Sequence, residues 1–303
     1  MSLLHLRTFV EVYRRRSISE ASRALDLTQP AVSQHVASLE TQLGHRLFER
    51  HSRGVTPTAM ANDLAASIGQ TLDKAEAALA SARARSMQLS GTVHIAAPSD
   101  YLSDFVAQRL GPLVAAGLDL RLHIGGREAL YAMLLDDRVH LGLTASKPDD
   151  DRLAYTIVGI EDLRAVAAPQ IAVRITNGDL ATNLNDIPHL AYDLDRPLLR
   201  DWIDANGLAL ESLPTVTAPD LRALRTMVCS GLGWSVLPGY LTSEQRANGT
   251  LVEIPAPVTI PENSFYLVWA RIALRHPRVA FAKDALAAAL GADGYYSGRT
   301  AQG

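Results

Sequence analysis

The chain has 303 residues, of which 48% are hydrophobic and 20% are charged, and its formal net charge is −3. This composition can build a large core and is not typical of a disordered chain, and the length predicts two or three domains. The single cysteine excludes an internal disulfide and a cysteine-based zinc site, and no apolar run reaches the roughly 18 residues that span a membrane. We therefore expect a cytoplasmic protein with no membrane segment.

The charge is unevenly distributed along the chain. Residues 1–58 hold eight arginines, no lysine and five acidic residues, a net charge of +3, whereas the remaining residues carry −6. A small basic module joined to an acidic body predicts attachment to DNA through one end of the molecule.

Three helices are predicted within this basic module. Apolar residues from Leu3 to Tyr13 recur at spacings of three and four, which indicates a first amphipathic helix. Ser17 and Glu20 have the spacing of a capping box that opens a short second helix. A third helix follows the turn "DLT" and ends at Gly44. Two helices, a tight turn and a third helix predict a helix-turn-helix, in which the third helix enters the major groove.

The third predicted helix has an unusual polar face. Val32, Val36 and Leu39 form its apolar stripe, and the opposite side is small and uncharged. Side chains that donate to and accept from base edges suit a groove, and carboxylates there would repel phosphates. The alternative is a helical bundle whose polar face meets only water. The candidate DNA-binding residues of this helix are Thr28, Gln29, Pro30, Ser33 and Gln34.

At this point the residues resemble a known family. The segments "ASRAL", "TQPAVSQHVASLE", "LG", "RLFER" and "TPT" are similar in order and spacing to the DNA-binding domain of LysR-type transcriptional regulators, over about 60 residues. The resemblance implies a winged helix-turn-helix in residues 1–58, with "RLFERHSRGVTPT" as the wing. Arg50 and Arg53 would then contact phosphates or the minor groove. It also implies double-stranded DNA with dyad-symmetric sites, and RNA polymerase, as partners.

Residues 59–89 predict one long alanine-rich helix. Leu64, Ile68, Leu72 and Leu79 keep a spacing of three to four, and so long a stripe must be buried against another helix. The resemblance implies a linker helix that pairs two subunits into a homodimer, with a homotetramer formed through the larger domains. The alternative is that the helix packs on its own chain.

Residues 90–290 alternate between predicted strands and helices, which indicates an α/β domain with a mainly parallel sheet. The fold class expected for the whole chain is therefore α+β multidomain. The resemblance implies a two-lobed α/β effector domain similar to periplasmic binding proteins, with lobe I at about 91–160 and 265–290 and lobe II at about 161–264. The tail 291–303 lacks periodicity and is predicted to be disordered.

Ligands of open α/β sheets bind beyond the carboxyl ends of strands, often at helix N-termini. We expect Ser99 and Arg127 to bind a carboxylate and the nearby aspartates to receive an ammonium, so a small carboxylate or amino acid is the predicted effector. The alternative is that the serine and the aspartates merely cap helices. The candidate effector-binding residues are Ser99, Asp100, Gly126, Arg127, Thr144, Tyr192, Asp193 and Thr217.

Other classes of function find less support in the sequence. The nine histidines are dispersed, no nucleophile elbow or phosphate-binding loop occurs, and "GLGWSV" lacks the last glycine of a dinucleotide fingerprint. We therefore expect no catalysis, metal or cofactor. Cys229 has no partner cysteine and is predicted to be a small core residue, not a redox sensor. A ligand-independent architectural DNA protein is the other alternative, but the about 210 residues after the linker exceed what DNA attachment needs.

Overall fold

The computed structural model describes residues 3–51, 54–86, 89–195 and 197–291. Its first part consists of three helices, a two-stranded antiparallel hairpin and a long helix. This order is that of a winged helix-turn-helix followed by a linker helix. The elements are α1 (Leu3–Arg15), α2 (Ile18–Leu25), α3 (Gln29–Leu43), β1 (Phe48–His51), β2 (Gly54–Pro57) and α4 (Ala59–Ser86).

Local signals in the sequence determine where these helices begin and end. The Ser17 hydroxyl accepts a hydrogen bond from the Glu20 backbone N–H, and the Thr28 hydroxyl accepts one from Ala31. Gly44 ends α3 with a φ of +69°, in the left-handed region that glycine adopts without strain. The predicted Ser17 cap of α2 and the predicted end of α3 are confirmed.

The wing is fixed to the helices by hydrogen bonds to its backbone. One Glu40 carboxylate oxygen accepts from the N–H groups of Leu47, at 2.7 Å, and Phe48, at 3.2 Å. From the other strand, the Val55 N–H donates to the carbonyl of Arg16 at 3.0 Å. The orientation of the hairpin relative to α3 therefore depends on side-chain and backbone contacts on both of its strands.

Residues of the apolar stripe of α4 lie in three different environments: the core of the helix-turn-helix, the core of the next domain, and solvent. Leu64 and Ile68 pack against the core of the helix-turn-helix, and Leu72 is only 6% exposed there. Ala77 packs against the core of the next domain, whereas Leu79 is 52% exposed. Leu72, expected in a seam between subunits, thus lies in the core of its own chain, because α1 and α4 pack against each other.

The larger domain begins with three parallel strands, of which the first lies between the other two. The sequence predicts a single helix after the first strand, but the structure has a short helix, a π-helical turn, a 3-10 turn and a second short helix. Gly111 and Pro112 start the second short helix, and the residue before a proline disfavours helical backbone. The elements are β3 (Thr92–Ala97), α5 (Ser99–Tyr101), α6 (Gly111–Ala115), β4 (Asp119–Ile124), α7 (Arg127–Leu135) and β5 (Leu141–Thr144).

A long strand then carries the chain into a second lobe. This strand is β6 (Leu153–Ala167), and two short strands of the second lobe pair with its distal half in antiparallel fashion. The elements of the second lobe are α8 (Pro169–Thr176), α9 (Leu180–Asp186), β7 (Leu190–Ala191), α10 (Pro197–Ala205), β8 (Val216–Thr217), α11 (Leu221–Cys229), β9 (Trp234–Pro238), α12 (Gly239–Ala247) and β10 (Val252–Glu253).

The chain returns to the first lobe through a second long strand. This strand, β11 (Glu262–Ala270), is antiparallel to both β6 and β5, and α13 (Pro277–Gly291) then packs against the first-lobe core. The two-lobed α/β architecture with a crossing chain is confirmed. The sheet is nevertheless mixed, because both crossing strands run antiparallel to their neighbours.

Separate hydrophobic cores hold the two lobes. Trp202 and Trp234 are fully buried in the second lobe, and Cys229 is half-buried at the end of α11 beside a further apolar cluster.

Within the described ranges, no helix has both the length and the apolar character needed to cross a membrane. Apart from Gly291, which ends α13, the predicted tail 291–303 lies outside the described residues.

Candidate functional site

The first candidate site is the exposed face of α3. Val32, Val36 and Leu39 are at most 3% exposed and hold the helix on the core, as their spacing predicts. The opposite face is open to solvent, with Ser33 half-buried at its edge. The exposed candidates of the DNA-binding set are Thr28, Gln29, Pro30 and Gln34 on α3 and its cap, and Arg50 on β1; Arg53 lies outside the described residues.

This face can hydrogen-bond to bases without repelling phosphates. The amides of Gln29 and Gln34 each offer donors and an acceptor. Glu40 is the first acidic residue after Gln34 in the sequence. Its side chain faces the wing, where one carboxylate oxygen accepts hydrogen bonds from two backbone N–H groups. Arg50 adds positive charge on the neighbouring strand, so the surface suits a groove flanked by phosphates.

A charged cluster joins the helix-turn-helix to α4, and we name it the junction cluster. Arg7 and Glu11 are 4% and 2% exposed, and Arg7 and Arg14 bind the two Asp73 oxygens at 2.8 and 2.5 Å. Arg271, which follows β11, approaches Asp73 at 3.8 Å. Burial raises the pKa of the Asp73 carboxyl, but hydrogen bonds and charge from Arg14 and Arg7 outweigh it and hold the pKa below its usual value.

The junction cluster was missed in the sequence, because charged residues on an amphipathic helix are normally placed on its solvated side. Further contacts join the same two parts of the chain. Ala24 and Leu25 of α2 pack against the first-lobe core. The DNA-binding module therefore touches the effector domain directly, and not only through the linker helix.

The second candidate site is a cavity of about 640 Å³ between the two lobes, which we name the interlobe cavity. Two candidates do not line it. The Ser99 hydroxyl donates to an Asp220 carboxylate oxygen at 3.1 Å, and Thr217 is exposed on β8. The candidates that do line it are Asp100, Gly126, Arg127, Thr144, Tyr192 and Asp193.

Further lining residues that sequence reasoning missed include residues of α5, of the crossing strands and of α12. Tyr101 and Phe265 stack with ring centroids 3.8 Å apart and an interplanar angle of 4°. Glu161 of β6 and Asn263 of β11 are register partners that also face the cavity. Glu161 could have been noticed as an acid within an otherwise mostly apolar strand.

The buried end of the interlobe cavity, formed by Asp100, Glu161, Tyr240 and Asn263, is its floor. Glu161 is 3% exposed and accepts from the Asn263 side-chain amide at 3.2 Å. Burial, together with the charges of Asp100 and Asp162, raises the pKa of the Glu161 carboxyl to about 8, although the hydrogen bond from Asn263 acts in the opposite direction. Asp100 is 4% exposed and accepts from the Tyr240 hydroxyl at 3.3 Å, and burial raises its pKa too.

A set of hydrogen bonds bridges the lobes beside the cavity. Arg222 of α11 pairs with Asp220 at 2.9 Å and donates to the Ser103 hydroxyl of the first lobe at 3.0 Å. Together with the bond from Ser99 to Asp220, this forms an interlobe latch. The hydrogen bonds from Arg222 lower the pKa of Asp220 to about 2, so its carboxylate remains charged at neutral pH.

A further cavity of about 660 Å³ lies on the first lobe and is lined by three histidines. His94 and His123 approach at 2.9 Å between ring nitrogens, and the His94 backbone N–H donates to His140 at 3.0 Å. Burial lowers the pKa of His140 to about 4. Across the part of the chain that the structure describes, no group of three or more histidine, cysteine or acidic side chains is arranged to hold a metal ion.

Comparisons with known proteins agree with this arrangement. Residues 3–62 match the family model for bacterial regulatory helix-turn-helix proteins of the lysR family, and residues 86–291 match the model for the LysR substrate binding domain. The transcriptional regulator AbaB of Streptomyces antibioticus is 34% identical over 292 residues, which cover 94% of this chain and 97% of AbaB.

Solved structures share the fold of the whole chain. The full-length regulator LysG from Corynebacterium glutamicum with its bound effector Arg has a TM-score of 0.55 at 20% identity, covering 93% of this chain and 99% of LysG. CrgA from Neisseria meningitidis, a LysR-type transcriptional regulator, has a TM-score of 0.52 at 22% identity, covering 94% and 98%. By the two family models and the similarity to AbaB, the chain belongs to the LysR-type transcriptional regulators.

Proposed function

We propose that a small molecule bound in the interlobe cavity controls promoter binding or activation by this DNA-binding transcriptional regulator. The observation that carries the proposal is a cavity of about 640 Å³ with walls from both lobes and from both crossing strands. A ligand that touches both lobes favours one relative position of them over others. Because the effector domain contacts the DNA-binding module, a change in the relative position of the lobes can change the position of the module on DNA.

For DNA recognition, we propose that Gln29, Ser33 and Gln34 read base edges from the major groove. Their exposed, uncharged face supports this role. We assign Arg50 and Arg53 to the sugar–phosphate backbone, where arginine fixes the position of a protein without reading sequence.

For the effector, the sequence suggested a small carboxylate or an amino acid. Arg127 supports a carboxylate at the mouth, where its side chain is 60% exposed. Ser99 lends no support, because its hydroxyl is already donated to Asp220. The described lining includes five acidic residues and one arginine, so the cavity favours an effector that also carries positive charge.

We further propose a homodimer formed through α4 and a homotetramer formed through the effector domains, with RNA polymerase as a partner at the promoter. The exposed Leu79 supports the dimer, since a large apolar side chain on the outer part of α4 is available to a second copy. Two DNA-binding modules would then read a dyad-symmetric site.

Screening metabolites by thermal shift on the full-length protein tests effector control, because a ligand stabilises the folded state that it binds. Stabilising compounds are then measured for their effect on the affinity for DNA selected from a random pool. Ala145→Phe, which fills the interlobe cavity, should abolish both effects. Equal stabilisation of this variant would place binding elsewhere, and a protein whose DNA affinity no compound changes would fit the ligand-independent alternative.

A further inference from the structure

The floor of the interlobe cavity contains a buried carboxyl oxygen without a hydrogen-bond partner in the described part of the chain. Glu161 is 3% exposed, and one of its oxygens accepts from Asn263. Its other oxygen, Oε2, has no hydrogen-bond partner among the residues that the structure describes. A buried polar atom left unpaired is costly and rare in folded proteins. The residue lines the cavity, so the missing partner can come from a molecule bound there.

A second buried acid faces the same space from the first lobe. Asp100 is 4% exposed, and its charge acts on Glu161 to disfavour a second negative charge nearby. The one arginine in the described lining, Arg127, is 60% exposed and lies within 3.8 Å of Glu128. Arg127 lies at the mouth of the cavity and therefore does not neutralise the negative charge of the acids in the floor.

Aromatic side chains complete the walls beside these acids. Tyr101 and Phe265 stack on each other and both line the cavity, and Tyr192 lines it from the second lobe. Aromatic rings bury apolar carbon, and their faces attract cations. Such walls suit a molecule with a hydrocarbon body and a positively charged head.

We propose that the floor of the interlobe cavity binds the ammonium group of an organic amine, with Glu161 and Asp100 as its acceptors and the aromatic side chains against its carbon body. This inference rests on the proposed function, since it names the chemical class of the effector. An ammonium group has three donors and no acceptor, which matches a floor that is rich in acceptors. Hydrogen bonds between ions of opposite charge are also stronger than neutral ones.

Binding of an ammonium group changes the protonation state of Glu161. Burial and the charges of Asp100 and Asp162 raise the pKa of Glu161 to about 8, so the ligand-free carboxyl keeps its proton at neutral pH. Tyr240 from α12 and Asn263 from β11 hydrogen-bond to these two acids, and the charge of Asp220 from the second lobe also acts on Asp100. An arriving ammonium favours the ionised carboxylate, and the proton of Glu161 passes to solvent. Affinity for the amine therefore rises, by at most about tenfold per pH unit, between about pH 6 and pH 8.

Calorimetry on the full-length protein with matched compounds tests the proposal. One set is phenethylamine, 2-phenylethanol and 3-phenylpropionate, and a second is butylamine, butanol and pentanoate. In at least one set the amine should bind at least about tenfold more tightly than the alcohol and the carboxylate, with proton release at neutral pH. Glu161→Gln and Asp100→Asn should each weaken the amine by about tenfold, and Glu244→Gln, the matched control at an exposed acid of α12 outside the cavity lining, by less than about twofold. Fluorescence of the tryptophans establishes that each variant is folded.

The outcomes separate this inference from the proposed function. The ammonium site is overturned if no amine binds, if the alcohol or the carboxylate binds as tightly, or if both acid variants retain full affinity. An alcohol or carboxylate that binds and is excluded by Ala145→Phe would leave the cavity as an effector site with a different ligand class. An amine that binds the floor without changing DNA affinity would support the ammonium site and contradict effector control.

Discussion

Replacing Glu161 with glutamine tests the electrostatics of the cavity floor without any ligand. Glutamine has nearly the same shape and keeps an acceptor oxygen for Asn263, but it cannot ionise. The pKa of Glu161 is raised from 4.5 to about 8 in the folded chain. The unfolded chain therefore releases this proton at lower pH than the folded chain does, and stability present below pH 4.5 is lost as the pH rises towards 8.

The magnitude follows from this difference in pKa. At ~1.4 kcal/mol per pKa unit, the carboxyl lowers the free energy of unfolding by about 3 kcal/mol at pH 7 and about 4 kcal/mol at pH 8. Glutamine lacks this penalty. We expect Glu161→Gln to be within about 1 kcal/mol of the wild type near pH 5 and about 4 kcal/mol more stable than it at about pH 8.

Tryptophan fluorescence during urea unfolding is a suitable assay. All three tryptophans, Trp202, Trp234 and Trp269, lie in the effector domain, so the signal reports this domain alone. Asp195→Asn, at an exposed position of the cavity wall, is the matched control and should follow the wild type at every pH. If the free energies of unfolding of the wild type and Glu161→Gln changed in parallel between about pH 5 and pH 8, Glu161 would not be a buried, protonated acid.

The remaining predictions concern stability, DNA recognition and assembly. His140 is held neutral with a pKa of about 4, so stability falls by up to about 3 kcal/mol as the pH drops from 6.5 towards 4; His140→Gln should unfold at lower pH in an acid titration monitored by fluorescence. Gln34→Ala should cost about 1–3 kcal/mol at one base pair in binding assays with single-base variants, and an equal loss at every site would contradict base readout. Arg50→Ala should weaken all DNA sequences alike and reduce the salt slope by about one; a change in sequence preference would reassign it. Leu72→Ala should lower stability by about 2–3 kcal/mol and keep the dimer, whereas Leu79→Glu should dissociate the dimer in sedimentation; unchanged mass for Leu79→Glu would exclude this part of α4 from the seam.

The DNA-binding helix was predictable because its signals are local. The Thr28 cap, the stripe from Val32 to Leu39 and the glycine stop at Gly44 each involve residues a few positions apart. The linker helix shows the limit of such signals. Its stripe was evident, but spacing along one helix does not say which surface covers it, and Leu72 proved to pack within the chain.

Part of the interlobe cavity was predictable from topology alone. Strand ends meet at one edge of an α/β sheet, which brought Asp100, Arg127 and Tyr192 into the candidate set. The pairing of Glu161 with Asn263 in the floor and the interlobe latch were not predictable, because they join partners far apart in the chain. Glu161 and Asn263 are 102 residues apart and meet through an antiparallel register, and Ser99 and Asp220 are 121 residues apart.

The strand β11 links the two ends of the molecule. It carries Asn263 and Phe265 in the cavity wall, and the residue that follows it, Arg271, approaches Asp73 of the junction cluster. From Phe265 to Arg271 an extended chain covers about 20 Å, and a strand is stiff along its axis. A displacement of β11 along its length therefore alters the ligand contacts and the ion pairs beneath the DNA-binding module in one movement, without passing through the second lobe.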